Sequence, residues 1–313
     1  MLSLSRLASF AFASIIALTF ASLSLAEVTV EKSDKGAIVK IDGNLFTEYV
    51  TKADNKPVLW PIIGPTGKAM TRAFPMEPKP EITDDHLHHR GLWFTHGSVN
   101  KVMFWNIGKN SGEVVHREFK KLEGGKDTGT IVAHNEWLDA SGKRICTENQ
   151  TFKFSGDKDA RTIDATITLN ATDGPLTLGD DKEGAFAVRV PDTMRVDSKQ
   201  GGKIINSQGQ IDADAWGKPA TWVDYHGPVD GEPVGIAMLD HPKNPGHPVR
   251  WHVRSYGLFA ANPFTRRAFD RSQEPGTIEV PAGDSITFHY QVILHSGDEK
   301  TANIEARYKE FAK

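Results

Sequence analysis

Apolar and polar residues alternate with a period of two along most of this chain. The run 161–171 shows it best: Ile163, Ala165, Ile167 and Leu169 interleave with Asp164, Thr166, Thr168 and Asn170. Successive side chains of a strand point to opposite faces, so this is the pattern of a half-buried antiparallel strand. Similar runs at 28–32, 37–41, 45–50, 113–122, 129–138, 143–154 and 285–295 are set off by turn residues, as in Ser33-Asp34-Lys35-Gly36 and Asp42-Gly43-Asn44. The stretches 102–106, 183–190, 220–227, 234–241 and 250–259 also predict strands, and only 300–313 has helical character. Strands at short, regular spacing predict an all-β fold: a large antiparallel β-sandwich with a short C-terminal helix. No internal repeat or long linker divides the chain, so one sandwich domain over 27–313 is expected.

The first residues break this pattern. Arg6 precedes an apolar stretch over 7–20, and Ser24-Leu25-Ala26 fits small-residue cleavage after Ala26. That predicts a signal peptide over 1–26 and a periplasmic or extracellular protein. No later stretch is apolar enough to span a bilayer. The net charge of −3 gives no basic footprint for nucleic acid or an anionic membrane. The sole cysteine, Cys146, excludes an intramolecular disulfide and reads as a core residue.

Chemistry-bearing residues concentrate in 84–97, which holds Asp84 and Asp85, Arg90, and His86, His88, His89 and His96. The part before Leu92 reads as loop, and the part after it as a strand closed by Gly97. Parity then places His252, Arg254 and Tyr256 on one face of the strand expected at 250–259, and Glu183 in phase with Arg189 in the next candidate. The final strand offers His289, Gln291 and His295 on its polar side, so three strands each present a polar face. His88, His89, Glu183, His252 and Tyr256 are candidate catalytic residues, because imidazole, carboxylate and phenol suit acid–base work. Arg90, Trp93, Arg189, Arg254 and Asn262 are candidate substrate-binding residues, since guanidinium pairs with carboxylate and flat aromatics suit sugar faces. His88, His89 and Arg90 are expected close to His252 and Arg254. No organic cofactor is expected. A divalent metal is an open alternative, with His86, His88 and Asp85 as its ligands, although their spacing matches no helical metal motif. No nucleophile elbow, phosphate loop or dinucleotide fingerprint occurs.

Four motifs in order resemble a family of exported bacterial proteins commonly labelled "methane oxygenase PmoA": the segments 88–97, 182–189, 240–244 and 251–264. The resemblance covers most of the chain after Ala26. It implies a galactose-mutarotase-like supersandwich, a scaffold that serves sugar epimerases, polysaccharide lyases and some hydrolases. It carries over no catalytic residues. The expected function is an exported carbohydrate-active protein, an enzyme using lyase- or epimerase-like acid–base chemistry on a poly- or oligosaccharide. The alternatives are a non-catalytic carbohydrate-binding protein and, following the family label, a metal-dependent oxidoreductase.

Overall fold

A computed structural model describes residues 26–79 and 83–313. The expected signal segment, apart from Ala26, lies outside the described residues. In chain order the strands begin with β1 (Glu27–Lys32), β2 (Gly36–Ile41), β3 (Asn44–Val50), β4 (Val58–Ile62), β5 (Leu92–His96), β6 (Glu113–Glu123) and β7 (Gly125–Lys126). Next come β8 (Gly129–Leu138), β9 (Arg144–Gly156), β10 (Ala160–Asn170), β11 (Leu176–Leu178), β12 (Gly184–Arg189) and β13 (Lys203–Asn206). The last are β14 (Trp222–Val229), β15 (Glu232–Asp240), β16 (Arg250–Val253), β17 (Leu258–Asn262), β18 (Ile278–Val280) and β19 (Ser285–Ser296), followed by one helix, α1 (Ile304–Phe311).

Two large antiparallel sheets face each other. One has nine strands in the order β16-β17-β12-β5-β4-β3-β2-β1-β7; the other has eight in the order β13-β14-β15-β19-β10-β9-β8-β6. A small β11–β18 ladder completes the set. The alternation read in 161–171 is the burial pattern of β10, with Ile163, Ile167 and Leu169 buried. Aromatic contacts cross the interface: Phe186 stacks on Tyr290 at 5.0 Å, and Phe94 meets Phe288 at 5.6 Å. Cys146 lies in this core, where burial pushes its thiol pKa up and keeps it protonated.

The outer faces differ. On the eight-stranded sheet, α1 packs Ile304, Tyr308 and Phe311 against Trp222, Leu239 and Ile293. On the nine-stranded sheet, Trp93, Ala187, Leu258 and Ala260 form a smaller apolar cluster with Trp105 and Tyr256. Among the described residues no helix is long and apolar enough to cross a membrane.

Two expectations change here. The stretch 250–259 is a hairpin rather than one strand: β16 ends at Val253, and Arg254 N–H donates to Leu258 O (2.8 Å) across the turn. Gly257 makes that turn at φ +96°, a backbone region that other residues enter only under strain. The segment 102–106 is loop, held by side-chain burial instead of a ladder, with Phe104 in the main core and Trp105 in the outer cluster. The polar side of the final strand belongs to the other sheet: β19 lies in the eight-stranded sheet, so His289, Gln291 and His295 lie on the far side of the sandwich from 84–97.

Candidate functional site

The loop before β5 is fastened down by buried arginines. Arg72 is fully buried and donates to Asp85 Oδ1 (2.5 Å), to the carbonyls of Asp85 and His86, and to Phe74 O. Arg189, on the outward side of β12, donates through Nη2 to the same Asp85 oxygen at 2.9 Å. Burial alone would raise the Asp85 pKa, but Arg189, Arg72 and His86 together hold it below the usual carboxylate value. Gly91 lets the loop enter β5: its φ is +57°, and a Cβ there would sit 2.3 Å from Leu59 O.

The same arginine fixes a histidine. Arg189 Nη1 lies 3.1 Å from His89 Nδ1. A guanidinium only donates, so Nδ1 must accept, and the proton of neutral His89 sits on Nε2. Burial, then His88 and Arg189, pushes the His89 pKa well below its ordinary value. His252 has the opposite tautomer. Its Nδ1 lies 2.8 Å from Lys182 O, a carbonyl that only accepts, so Nδ1 carries the proton and Nε2 keeps a lone pair. Burial lowers the His252 pKa to about 4. Glu183 Oε2 stands 3.9 Å from His252 Nδ1, and Glu183 Oε1 pairs with Lys182.

Tyr256, which follows β16, meets the loop before β5 through aromatic rings. Tyr256 stacks on His86 (4.9 Å), His86 on His89 (4.8 Å), and His89 on Trp93 (5.5 Å). His88 meets His89 edge-on at 4.3 Å. Burial, then Lys56, lowers the His88 pKa to about 4, so His88 is neutral at pH 7. Arg254 lies 5.4 Å from the Tyr256 ring and 5.7 Å from the Trp216 ring, and among the described residues no carboxylate pairs with it. Tyr256, half-buried, thus has two guanidinium groups near its ring, since Arg189 also lies 5.1 Å from it.

Other candidates have structural tasks. Arg90 ties the loop to Asp54 (2.9 Å) and to Leu87 O. Asn262 is buried and donates to the carbonyls of Asp181 and Lys182, which holds the Glu183 turn. Trp93 is 2% exposed under Trp105, so it offers no face to a ligand. Two of the three candidate metal ligands are already engaged: Asp85 Oδ1 serves two arginines, and Asp85 Oδ2 pairs with His86 Nδ1 at 2.9 Å. Residues the pattern did not single out are Arg72, Trp216 and Lys56. Lys56 is buried against Asn55 Oδ1 and lies 5.9 Å from the Trp93 ring. Burial, then Arg90, lowers its pKa to about 7. A single arginine or lysine in a proline-broken segment carries no periodic signal of burial.

A family profile matches residues 37–309. The chain belongs to DUF6807, a family of unknown function. That description carries no reaction, and the oxygenase label is no part of it. No curated protein matches the sequence. The DUF6807 chain is similar to a GH36 α-galactosidase from Geobacillus stearothermophilus solved with raffinose, at 12% identity and a TM-score of 0.41, over 87% of this chain and 41% of that one. It thus spans about two-fifths of the galactosidase. It is also similar to a putative aldose 1-epimerase from Escherichia coli K12 (12% identity, TM-score 0.35, 87% and 99% covered). A galactose mutarotase-like protein from Lactobacillus casei aligns at 11% identity and a TM-score of 0.34, with 86% and 100% covered.

Proposed function

We propose that the outer face of the nine-stranded sheet binds an acidic sugar, a uronate-containing poly- or oligosaccharide, and acts on it by acid–base chemistry of the lyase or epimerase type. The observation that carries this reading is Arg254, a guanidinium held beside Trp216 and Tyr256 with no carboxylate partner among the described residues. Such a group is matched to a carboxylate of the ligand. Around it stand the groups needed to move a proton. His88 is neutral, and Tyr256 carries a phenol whose pKa burial keeps raised, so it stays protonated and able to donate.

In the lyase form, His88 takes the proton from the carbon bearing the carboxylate. The electron pair left behind forms a double bond to the neighbouring ring carbon and expels the glycosidic oxygen. That oxygen takes a proton from the Tyr256 hydroxyl. Arg254 offsets the charge that builds on the carboxylate. Returning a proton to the opposite face of the same carbon, instead of expelling the oxygen, gives the epimer, and the Tyr256 hydroxyl is the group here that carries one. A hydrolase would want two carboxylates flanking the bond, and the carboxylate here besides Glu183, Asp85, is committed to two arginines. The expected leader would deliver the protein to where such polymers are met. The metal-oxidoreductase alternative gains nothing at this site, because Asp85 is already committed to two arginines.

The test is incubation with uronate-containing and neutral polysaccharides, following the ultraviolet absorbance of the conjugated product, beside a glycan-binding panel. Arg254→Ala is expected to weaken binding of acidic oligosaccharides about ten- to a hundredfold, the worth of a charge-assisted hydrogen bond. Tyr256→Phe is expected to bind normally and turn over poorly. Neither turnover nor acidic-sugar binding across the panel would sink the reading. Sugar binding without turnover that survives His88→Ala would make the protein a non-catalytic binder.

A further inference from the structure

The opposite outer face carries a second cluster. Asp224 and His226 project outward from β14, because Val223 and Tyr225 between them are in the main core. His226 pairs across the ladder with Gly235 of β15, and Gly235 pairs with His295 of β19. A Cβ on Gly235 would lie 2.2 Å from the His295 ring, so the missing side chain leaves the room in which His295 lies. His295 Nε2 then reaches Asp224 Oδ2 at 2.6 Å, while His226 Nδ1 lies 2.6 Å from Asp224 Oδ1.

The turn after β19 brings in Glu299. Its side chain is nine-tenths buried. Its Oε2 is 3.8 Å from His226 Nδ1, beyond hydrogen-bond reach, and its carboxylate accepts no hydrogen bond from a described residue. A largely buried carboxylate with only an imidazole 3.8 Å away has room for a cation as a further partner. Asp298 adds a further negative charge and, with His226, lines an open cavity of about 380 Å³. Among the described residues no lysine or arginine forms an ion pair with Asp224, Asp298 or Glu299; the ionic partners of Asp224 are His226 and His295, and that of Glu299 is His226.

We propose that Asp224, His226 and Glu299 bind a divalent first-row transition cation, with Zn²⁺ as the probe. Their ligand atoms lie within 4.8 Å of one another, so small side-chain movements close them round one ion. Two carboxylates and an imidazole suit zinc, manganese or nickel, whereas calcium takes six or more oxygens. The cation replaces the proton on His226 Nδ1, and water from the cavity completes its coordination. His295 holds Asp224 from the other side and fixes its orientation. The ion would clamp the 297–303 turn, and so the start of α1, onto β14.

The test uses the full chain, stripped with a chelator and dialysed, then titrated calorimetrically with Zn²⁺. One ion per chain and a raised thermal midpoint are expected. Glu299→Gln and His226→Gln should each weaken Zn²⁺ binding at least about tenfold. Glu299→Gln is nearly isosteric, and its midpoint in chelator should match that of the unsubstituted protein. His86→Ala, in the other site, should bind Zn²⁺ normally. Absence of binding or stabilisation by Zn²⁺, Mn²⁺ and Ni²⁺ would overturn the proposal. So would undiminished Zn²⁺ affinity in both the Glu299 and His226 variants. Neither outcome bears on the sugar site.

Discussion

Arg189 decides what its neighbours can do. One arm of its fork occupies His89 Nδ1 and the other Asp85 Oδ1. His89 is thereby a rigid N–H donor packed on Trp93 and cannot be a base, while His88 and His252 keep free lone pairs. A histidine-rich string in a sequence therefore conceals unlike roles, separated by one buried arginine on another strand. Arg189→Met should leave His89 Nδ1 and an Asp85 oxygen short of a donor and cost about 1–3 kcal/mol. Chemical denaturation measures the cost, and nitrogen NMR of the imidazole reads the tautomer. The unsubstituted protein should show His89 protonated at Nε2 alone, and the variant should lose that fixed preference. An unchanged His89 signal in Arg189→Met would show that burial, rather than the arginine, sets the tautomer.

At the level of elements, the β16–β17 hairpin carries His252 on one arm and Arg254 and Tyr256 in its turn. Gly257 closes it, and a Cβ there would come within 3.2–3.3 Å of Arg195, Val190 and the Arg189 Nε. Gly283, by contrast, has φ +87° and nothing within 4 Å of an added Cβ. Backbone strain of about 1–3 kcal/mol is common to alanine at either position. Gly257→Ala should lose more stability than Gly283→Ala and should alone weaken acidic-sugar binding, because it displaces Arg189 and Tyr256. Equal loss of stability and no change in binding for the pair would separate this hairpin from the site. The hairpin also marks where the sequence stops being readable. Outward placement of His252 followed from parity against Trp251 and Val253, and the loop-then-strand reading of 84–97 followed from composition. The turn at 254–257 did not announce itself, because Tyr256 and Leu258 continue a strand-like run and only Gly257 interrupts it. Partners contributed from afar, such as Arg72 for Asp85 and Asp54 for Arg90, depend on which strands become neighbours, and local alternation holds no record of that.

For the whole molecule, the two sheets do not meet through apolar side chains alone. Glu148 of β9 is fully buried in the sandwich, beside Asn135 of β8, and Tyr49 of β3 reaches Asn135 and Gln150 from the opposite sheet. Burial pushes the Glu148 pKa from 4.5 up to about 7, against the hydrogen bonds from Asn135 and Gln150. A folded-state pKa above the unfolded one means that the folded chain binds more protons. The stabilisation is therefore complete below about pH 4.5 and is lost as the pH rises through about 7. A shift of this size corresponds to roughly 3 kcal/mol. Glu148→Gln cannot ionise and keeps nearly the same shape. Relative to the unsubstituted protein it should gain about 2.5 kcal/mol between pH 5 and pH 8, measured by urea unfolding at both. Other titrating groups act alike in the two proteins and cancel in the difference. A stability difference that stays constant from pH 5 to pH 8 would mean that Glu148 is ionised throughout, and that the polar seam between the sheets is wetter than its burial implies.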